Sequence, residues 1–261
     1  MHLPSDDITD AYIRSNMKLT TANEDWELYD DGVHQPFAVP TKKTVKNSLN
    51  ARISFARVPS AYSLVRLSSI DPEYYTRDMT RELMTIQDYV SAFPKHYAEG
   101  LSLYIWSHVL GSGKTMTACA IANELIEKGY VVMFMTTGTM LMKLKETFGD
   151  KAKQSTEQVI NSYKQCDLLI LDDAGTENIT SWVDEVIFEV INARYLSHKP
   201  TVFTSNYDVS ELEYNKRIID RIKSDCTILH WPEEGVRSAI GDMMRKEQEK
   251  EWQQTSLPGI A

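Results

Sequence analysis

The sequence predicts an α/β fold, a five-stranded parallel sheet wound with helices and preceded by a small appendage. Three observations predict it. Short β-type runs alternate with stretches of helical periodicity. A Gly-rich segment stands between the first of these runs and a well-formed helix, and two later runs end on acids or an amide. Strands alternating with helices give parallel neighbours joined by right-handed crossovers. Ligands of such sheets bind beyond the carboxyl ends of the strands.

In chain order the strands are Leu101–Trp106, Tyr130–Met135, Leu168–Leu171, Thr201–Thr204 and Thr227–His230. After the first comes a helical stripe of Ala118, Ile121, Ala122, Leu125 and Ile126, closed by Gly129 as a C′ residue. A second stripe, Val183, Val186, Ile187, Val190 and Ile191, is entered through Ser181 with Asp184 three residues on, a capping-box variant. Residues 1–50 differ from the rest: acidic up to Asp31, then basic at Lys42, Lys43 and Lys46, with weak periodicity. They read as a helical or partly disordered appendage, either a solvated tail or a docking element. Residues 51–240 form the compact domain, and 241–261 a charged tail.

The chain has 261 residues, 42% hydrophobic and 25% charged, the composition of a globular protein with a substantial core. No apolar run approaches the roughly 18 residues of a membrane helix, and no signal-peptide pattern follows Met1, so a cytoplasmic protein without a membrane partner is expected. Cys119, Cys166 and Cys226 sit in apolar contexts without a C-x-x-C and read as reduced core thiols. The six histidines show no metal spacing. A net charge of −9 argues against binding duplex nucleic acid through a generally basic surface, but leaves room for a local basic groove.

The strongest motif is Gly111-Ser-Gly-Lys-Thr-Met116 at the strand-to-helix junction. Gly111 and Gly113 permit the tight curl in which backbone N–H groups, Ser112 and Met116 included, ring a nucleotide's phosphates. Lys114 supplies the neutralising cation and Thr115 a hydroxyl for Mg²⁺. His108 stands where the first glycine of the full pattern belongs, and is the place to look for a reshaped loop or weakened nucleotide affinity.

Cys166-Asp-Leu-Leu-Ile-Leu-Asp-Asp173 is an apolar strand ending in two acids. Asp172 is placed to hold Mg²⁺ through water and Asp173 to polarise the attacking water, with Glu177 as a nearby substitute. Pro200-Thr-Val-Phe-Thr-Ser-Asn206 ends another strand on an amide that can orient that water. Arg217 and Arg221 lie four apart on one helical face backed by Ile218, Ile219 and Ile222. They are a solvated basic face or, in an oligomeric ATPase, groups that reach a neighbour's site. Arg237 is a further candidate for phosphate contact.

Taken together these segments resemble the AAA+ ATPases of the DnaC/DnaI type that load replicative helicases. The resemblance covers roughly residues 52–240, and the wording Asp172-Asp-Ala-Gly-Thr-Glu177, Thr180-Ser-Trp-Val183 and Phe203-Thr-Ser-Asn206 is especially like the DnaI branch. The related IstB transposition ATPases share the Gly-rich loop and the acids, with less similar later segments. The resemblance implies ATP/ADP and Mg²⁺ as cofactors, with Lys114 and Thr115 as Walker A, Asp172 and Asp173 as Walker B, and Asn206 as sensor 1. It makes Arg221 the arginine finger with Arg217 beside it, and Arg237 sensor 2. It also implies a DnaB-type hexameric helicase as partner, self-assembly into a spiral or ring, and single-stranded DNA held along the inside.

For that DNA surface the candidate is the helix Met140–Phe148 and its follow-on, carrying Lys143, Lys145, Lys151 and Lys153; a solvated lysine face is the other reading. Besides His108, the chain departs from DnaI proteins in lacking their N-terminal zinc-ligating cysteines. Helicase recognition then falls to a different small element, as in a phage or mobile-element loader. The expected function is ATP-dependent helicase loading in replication initiation, with weak turnover alone. An IstB-like transposition helper and a non-hydrolysing adaptor that blocks a helicase are the alternatives.

Overall fold

The computed structural model describes residues 17–30, 37–148, 155–238, 241 and 245. The chain divides into two compact units, residues 1–54 and 55–261. In the first, β1 (Lys18–Ala22), β2 (Trp26–Asp30) and β3 (Phe37–Pro40) form an antiparallel sheet in that order. Asn23 makes the β1–β2 turn: its side-chain oxygen accepts the amides of Asp25 and Trp26 at 2.8 and 2.7 Å. Tyr29 and Val39 are the buried centre of this sheet. The helix α1 (Lys42–Ala56) follows. The sequence predicts a helical or partly disordered segment here; the helix is present, but residues 18–40 pair as strands. All five residues of β1 are exposed, so backbone pairing and turn chemistry build the sheet without an apolar alternation to announce it.

In the second unit three 3₁₀ turns (Ser60–Tyr62, Leu67–Ser69 and Pro72–Tyr74) precede α2 (Thr80–Ser91) and α3 (Phe93–Glu99). It continues with β4 (Ser102–Trp106), α4 (Lys114–Glu127), β5 (Val132–Thr136), α5 (Thr137–Lys145), α6 (Thr156–Gln165) and β6 (Leu168–Ala174). The last elements are α7 (Ser181–Leu196), β7 (Thr201–Ser205), α8 (Lys216–Asp225) and β8 (Cys226–His230). The five strands from β4 to β8 are all parallel, in the order β5-β6-β7-β4-β8. β4 to β7 are buried along nearly their whole length, as in a sheet covered on both faces. This order sets β6, β7 and β4 side by side. The two acids, the amide and the Gly-rich loop therefore share one edge of the sheet.

Three local features differ from the sequence reading. The cap of α7 is Thr180, whose hydroxyl accepts the Val183 amide at 3.3 Å. Asp184 instead accepts the Asn215 amide at 3.0 Å and its side-chain NH₂, tying α7 to the start of α8. The lysine-bearing helix runs Thr137–Lys145 rather than Met140–Phe148, because the Thr136 hydroxyl caps it by accepting the Thr139 amide at 3.0 Å.

Arg194 on α7 is 1% exposed. Its guanidinium donates to the carbonyls of Tyr163 (2.8 Å), Cys166 (3.0 Å) and Pro200 (2.5 Å), and to Thr201 Oγ1 (3.1 Å). It thereby knots the end of α6 to the starts of β6 and β7. Burial pushes its pKa down, yet these oxygens satisfy it without a carboxylate. All three cysteines are free thiols. Among the described residues no helix is long and apolar enough to cross a membrane.

Candidate phosphate-binding site at the carboxyl ends of three strands

Residues 107–113 join β4 to α4, and Gly111 (φ 78°) and Gly113 (φ 99°) take the left-handed backbone that favours glycine. At Gly111 a Cβ would come within 3.1 Å of the Arg237 Cβ, so the position is also closed by packing. His108 has no positive φ. The backbone therefore makes no demand for glycine there, and the departure from the full motif costs the loop nothing in conformation.

The imidazole of His108 joins a small charged cluster. Its Nε2 lies 2.9 Å from Glu211 Oε2 and its Nδ1 3.5 Å from Glu233 Oε1. Glu233 also accepts the amides of His108 and Val109 at 3.1 and 3.2 Å. The hydrogen bond to Glu211, helped by the charge of both glutamates, raises the His108 pKa.

The Lys114 ammonium folds back over the loop. It donates to the carbonyls of Ser107 and Val109, both at 3.0 Å, and to Ser112 Oγ at 3.2 Å. Burial pushes its pKa down, opposed by the charge of Asp173. The cation is already desolvated, and its partners are weak neutral oxygens that an anion can replace.

The acids owe their placement to a β-bulge. Leu171 pairs with Phe203 and Ala174 with Ser205, so β6 carries one residue more than β7 across this interval. Asp173 takes φ 56° there, and its carboxylate turns into the cavity in front of the loop. Asp172 is 4% exposed and accepts two hydroxyls on Oδ1, from Thr115 at 2.9 Å and Thr204 at 2.6 Å. Burial raises its pKa and the Thr204 bond holds it back. The Thr204 oxygen also accepts the Asp173 amide at 3.0 Å, so one hydroxyl fixes both acids. Glu177, the nearby alternative to Asp173, is not among the residues lining the cavity in front of the loop: it accepts the Tyr214 hydroxyl, which in turn accepts the Gly175 amide at 2.9 Å.

The cavity these groups face has a volume of about 370 Å³. Gly111, Ser112, Gly113, Lys114, Thr115 and Met116 line it, together with Asp173, Asn206 and Arg237. Asp172 stands behind Thr115. Tyr62, Leu110 and Thr176 also line it and were not expected from the sequence; Tyr62 comes from a 3₁₀ turn far upstream, held by Asn123 Nδ2 donating to its carbonyl at 2.8 Å.

Arg217 and Arg221 do not line this cavity. They stack on the Phe188 ring of α7 at 4.1 and 5.6 Å, and Arg221 Nε donates to Asn192 Oδ1 at 2.9 Å. Lys143 and Lys145 lie at the end of α5. Lys145 stands 5.4 Å over the Trp182 ring, with Phe148 edge-on to that ring at 5.9 Å. Lys151, Lys153 and nearly all of the tail 241–261 lie outside the described residues.

An oxygen set made of the Thr115 hydroxyl and the Asp172 carboxylate fits a hard divalent cation such as Mg²⁺. A buried lysine beside left-handed glycines at a helix start fits phosphate groups. Residues 105–240, just over half of the 261, match the family described as IstB-like ATP binding protein. The replicative helicase loader DnaI of Bacillus subtilis is 40% identical over 131 residues, covering 49% of this chain and 41% of that protein. The replicative helicase loader DnaC of Escherichia coli K12 is 29% identical over 154 residues, covering 57% and 61%. The chain thus spans about half the length of these curated relatives. Among solved structures, a candidate primosome component from Streptococcus pyogenes superposes with a TM-score of 0.58 at 28% identity, covering 72% of this chain and 96% of that one.

Proposed function

The chain belongs to the IstB-like ATP-binding protein family, and from that premise we propose that it is an AAA+ ATPase that loads a ring-shaped replicative helicase onto single-stranded DNA. One observation carries the catalytic half of this reading: Lys114, Thr115 and Asp173 converge on a single cavity, with Asp172 and Thr204 locked behind them. Its kinship with helicase loaders supports the other half.

In this reading the ATP phosphates take the place of the Lys114 carbonyl partners and lie against the N–H groups of residues 111–116. Tyr62, Leu110 and Met116 supply the apolar walls. Thr115 and Asp172 would hold Mg²⁺, which supplies charge neutralisation for the transferred phosphoryl group. Asp173, aimed by the bulge, polarises the attacking water and Asn206 orients it. Arg237, packed on Gly111 and lining the same cavity, contacts the phosphates beside the loop.

Arg221 and its neighbour Arg217 serve the cavity of an adjacent copy, in keeping with their absence from their own. The aromatic pair Phe148 and Trp182, with Lys145 over the ring, is suited to stacking bases beside a phosphate contact. Residues 1–50 are the candidate for gripping the helicase.

Mixing variants tests the catalytic arrangement. Lys114→Ala abolishes nucleotide binding, whereas Arg221→Ala binds ATP and fails to hydrolyse it. In a mixture, Arg221→Ala subunits supply intact cavities and Lys114→Ala subunits supply the finger, so hydrolysis returns in part. Full hydrolysis by Arg221→Ala alone rejects the shared site.

A further inference from the structure

We propose that Tyr75 and Trp231 are positioning residues for the phosphate loop: together they set the peptide between Ser112 and Gly113 so that its N–H faces the cavity. The proposal rests on the nucleotide-binding reading of that cavity. The Tyr75 hydroxyl donates to the Ser112 carbonyl at 2.9 Å, and the Trp231 indole N–H donates to the same oxygen at 2.9 Å. The indole nitrogen also lies 3.2 Å from the Tyr75 hydroxyl, and the two rings meet edge to face at 6.2 Å. Tyr75 is 7% exposed and Trp231 fully buried. Neither is near the loop in sequence, and neither belongs to a phosphate-binding motif.

The consequence follows from peptide geometry. A trans peptide points its C=O and its N–H in opposite directions. Two buried donors hold the Ser112 carbonyl on the interior side, so the Gly113 N–H is turned outward to the cavity that Gly113 lines. The preceding peptide is treated alike: the Val236 amide takes the Gly111 carbonyl at 2.9 Å, which turns the Ser112 N–H the same way. Successive N–H groups presented by such a turn form a concave anion site.

The segment from Trp231 to Val236 continues this bracing along the loop. The Trp231 amide takes the Trp106 carbonyl at 2.6 Å, and Ser107 Oγ donates to the Pro232 carbonyl at 2.9 Å. Dipoles fixed before the ligand arrives need no reorganisation when it binds, which is how a few buried hydrogen bonds add to affinity at a distance. Gly113 adjoins Lys114, so the N–H in question serves the β-phosphate end of the site.

Tyr75→Phe isolates the effect, because it keeps the ring and leaves the Trp231 N–H with the Ser112 carbonyl as partner, orphaning no donor. The control is Tyr89→Phe, which deletes the hydroxyl of another buried tyrosine, one that donates to Leu101 O at 3.0 Å, away from the loop. ADP binding to the full chain is measured by titration calorimetry, and the Gly113 amide is followed by ¹H–¹⁵N NMR. The expected result is an ADP affinity about fivefold weaker in Tyr75→Phe, the worth of one neutral hydrogen bond, with a displaced Gly113 resonance and neither change in Tyr89→Phe. Equal ADP affinity in Tyr75→Phe and the parent overturns the proposal, as does an equal loss in both variants. A parent that binds no ADP overturns the nucleotide reading itself, an outcome told apart because it precedes any variant.

Discussion

Thr204 Oγ1 lies 2.6 Å from Asp172 Oδ1, the shortest of the bonds that hold the two acids of the site. Because the same oxygen accepts the Asp173 amide, a hydroxyl on β7 sets the geometry of a bulge on β6. Thr204→Val keeps the shape and removes both bonds. Leaving the Asp173 amide without its partner costs about 1–3 kcal/mol of stability. Hydrolysis falls roughly 10- to 100-fold through misplacement of Asp173, while ADP affinity, which depends on the loop, stays within about twofold of the parent. Chemical denaturation, single-turnover hydrolysis and calorimetry check the three parts; unchanged hydrolysis removes Thr204 from the site.

Asp172 is held at a cost to the ligand-free protein. Burial raises its pKa above the ordinary 3.8, so the native state binds more protons than the unfolded state between 3.8 and the raised value. Stability therefore falls as pH rises through that window, and the penalty is fully present above it. Asp172→Asn, with an oxygen still able to accept both hydroxyls, melts at a higher temperature than the parent at pH 7 and loses this advantage below pH 3.8. Its Mg²⁺-dependent hydrolysis drops roughly a hundredfold or more. Calorimetric scans across pH measure the first effect, and a lower melting point at pH 7 contradicts it.

Arg194→Met fills similar space without donors and strips the Tyr163, Cys166 and Pro200 carbonyls of their guanidinium partner, leaving Cys166 O unpaired. A loss of about 3–5 kcal/mol follows, read by urea unfolding with the slope unchanged. A loss below about 1 kcal/mol shows that the knot between α6, β6 and β7 is dispensable.

His108 titrates above the ordinary value of 6.5 because Glu211 accepts its hydrogen bond, with Glu233 beside it. The ion pair is complete below 6.5 for as long as Glu211 stays ionised, and fades as pH rises through the raised pKa. Glu211→Gln moves the His108 ring resonances' midpoint back toward 6.5 in an NMR titration. ADP affinity is unaffected by this change, because the loop keeps its backbone.

Much of the second unit is legible in the sequence because β4 to β7 are buried on both faces and read as apolar runs. The acids and Gly-rich loop stand at their ends for the same topological reason. What hides is what depends on partners distant in the chain. Thr204 looks like any β-branched strand residue, and only the bulge gives it two acids to hold. The sequence stops this strand at Leu171, whereas β6 runs on to Ala174 through the left-handed Asp173. Tyr75 and Trp231 are ordinary core aromatics until the Ser112 carbonyl lies between them. Nothing in the sequence marks Arg194 as buried, because its carbonyl partners come from two segments, residues 163–167 and Pro200. The first sheet escapes notice because β1 buries nothing, leaving Asn23 as its clearest local mark.

The central claim is that nucleotide held by this cavity governs assembly on a helicase ring. Native mass spectrometry of the full chain mixed with the replicative helicase of its own cell, with ATP and with no nucleotide, tests it most directly. The account predicts a complex of several copies on one hexamer that gains subunits with ATP, and that Lys114→Ala does not form in its ATP-dependent state. No complex with the helicase under either condition, or one whose stoichiometry is blind to ATP and to Lys114→Ala, contradicts it.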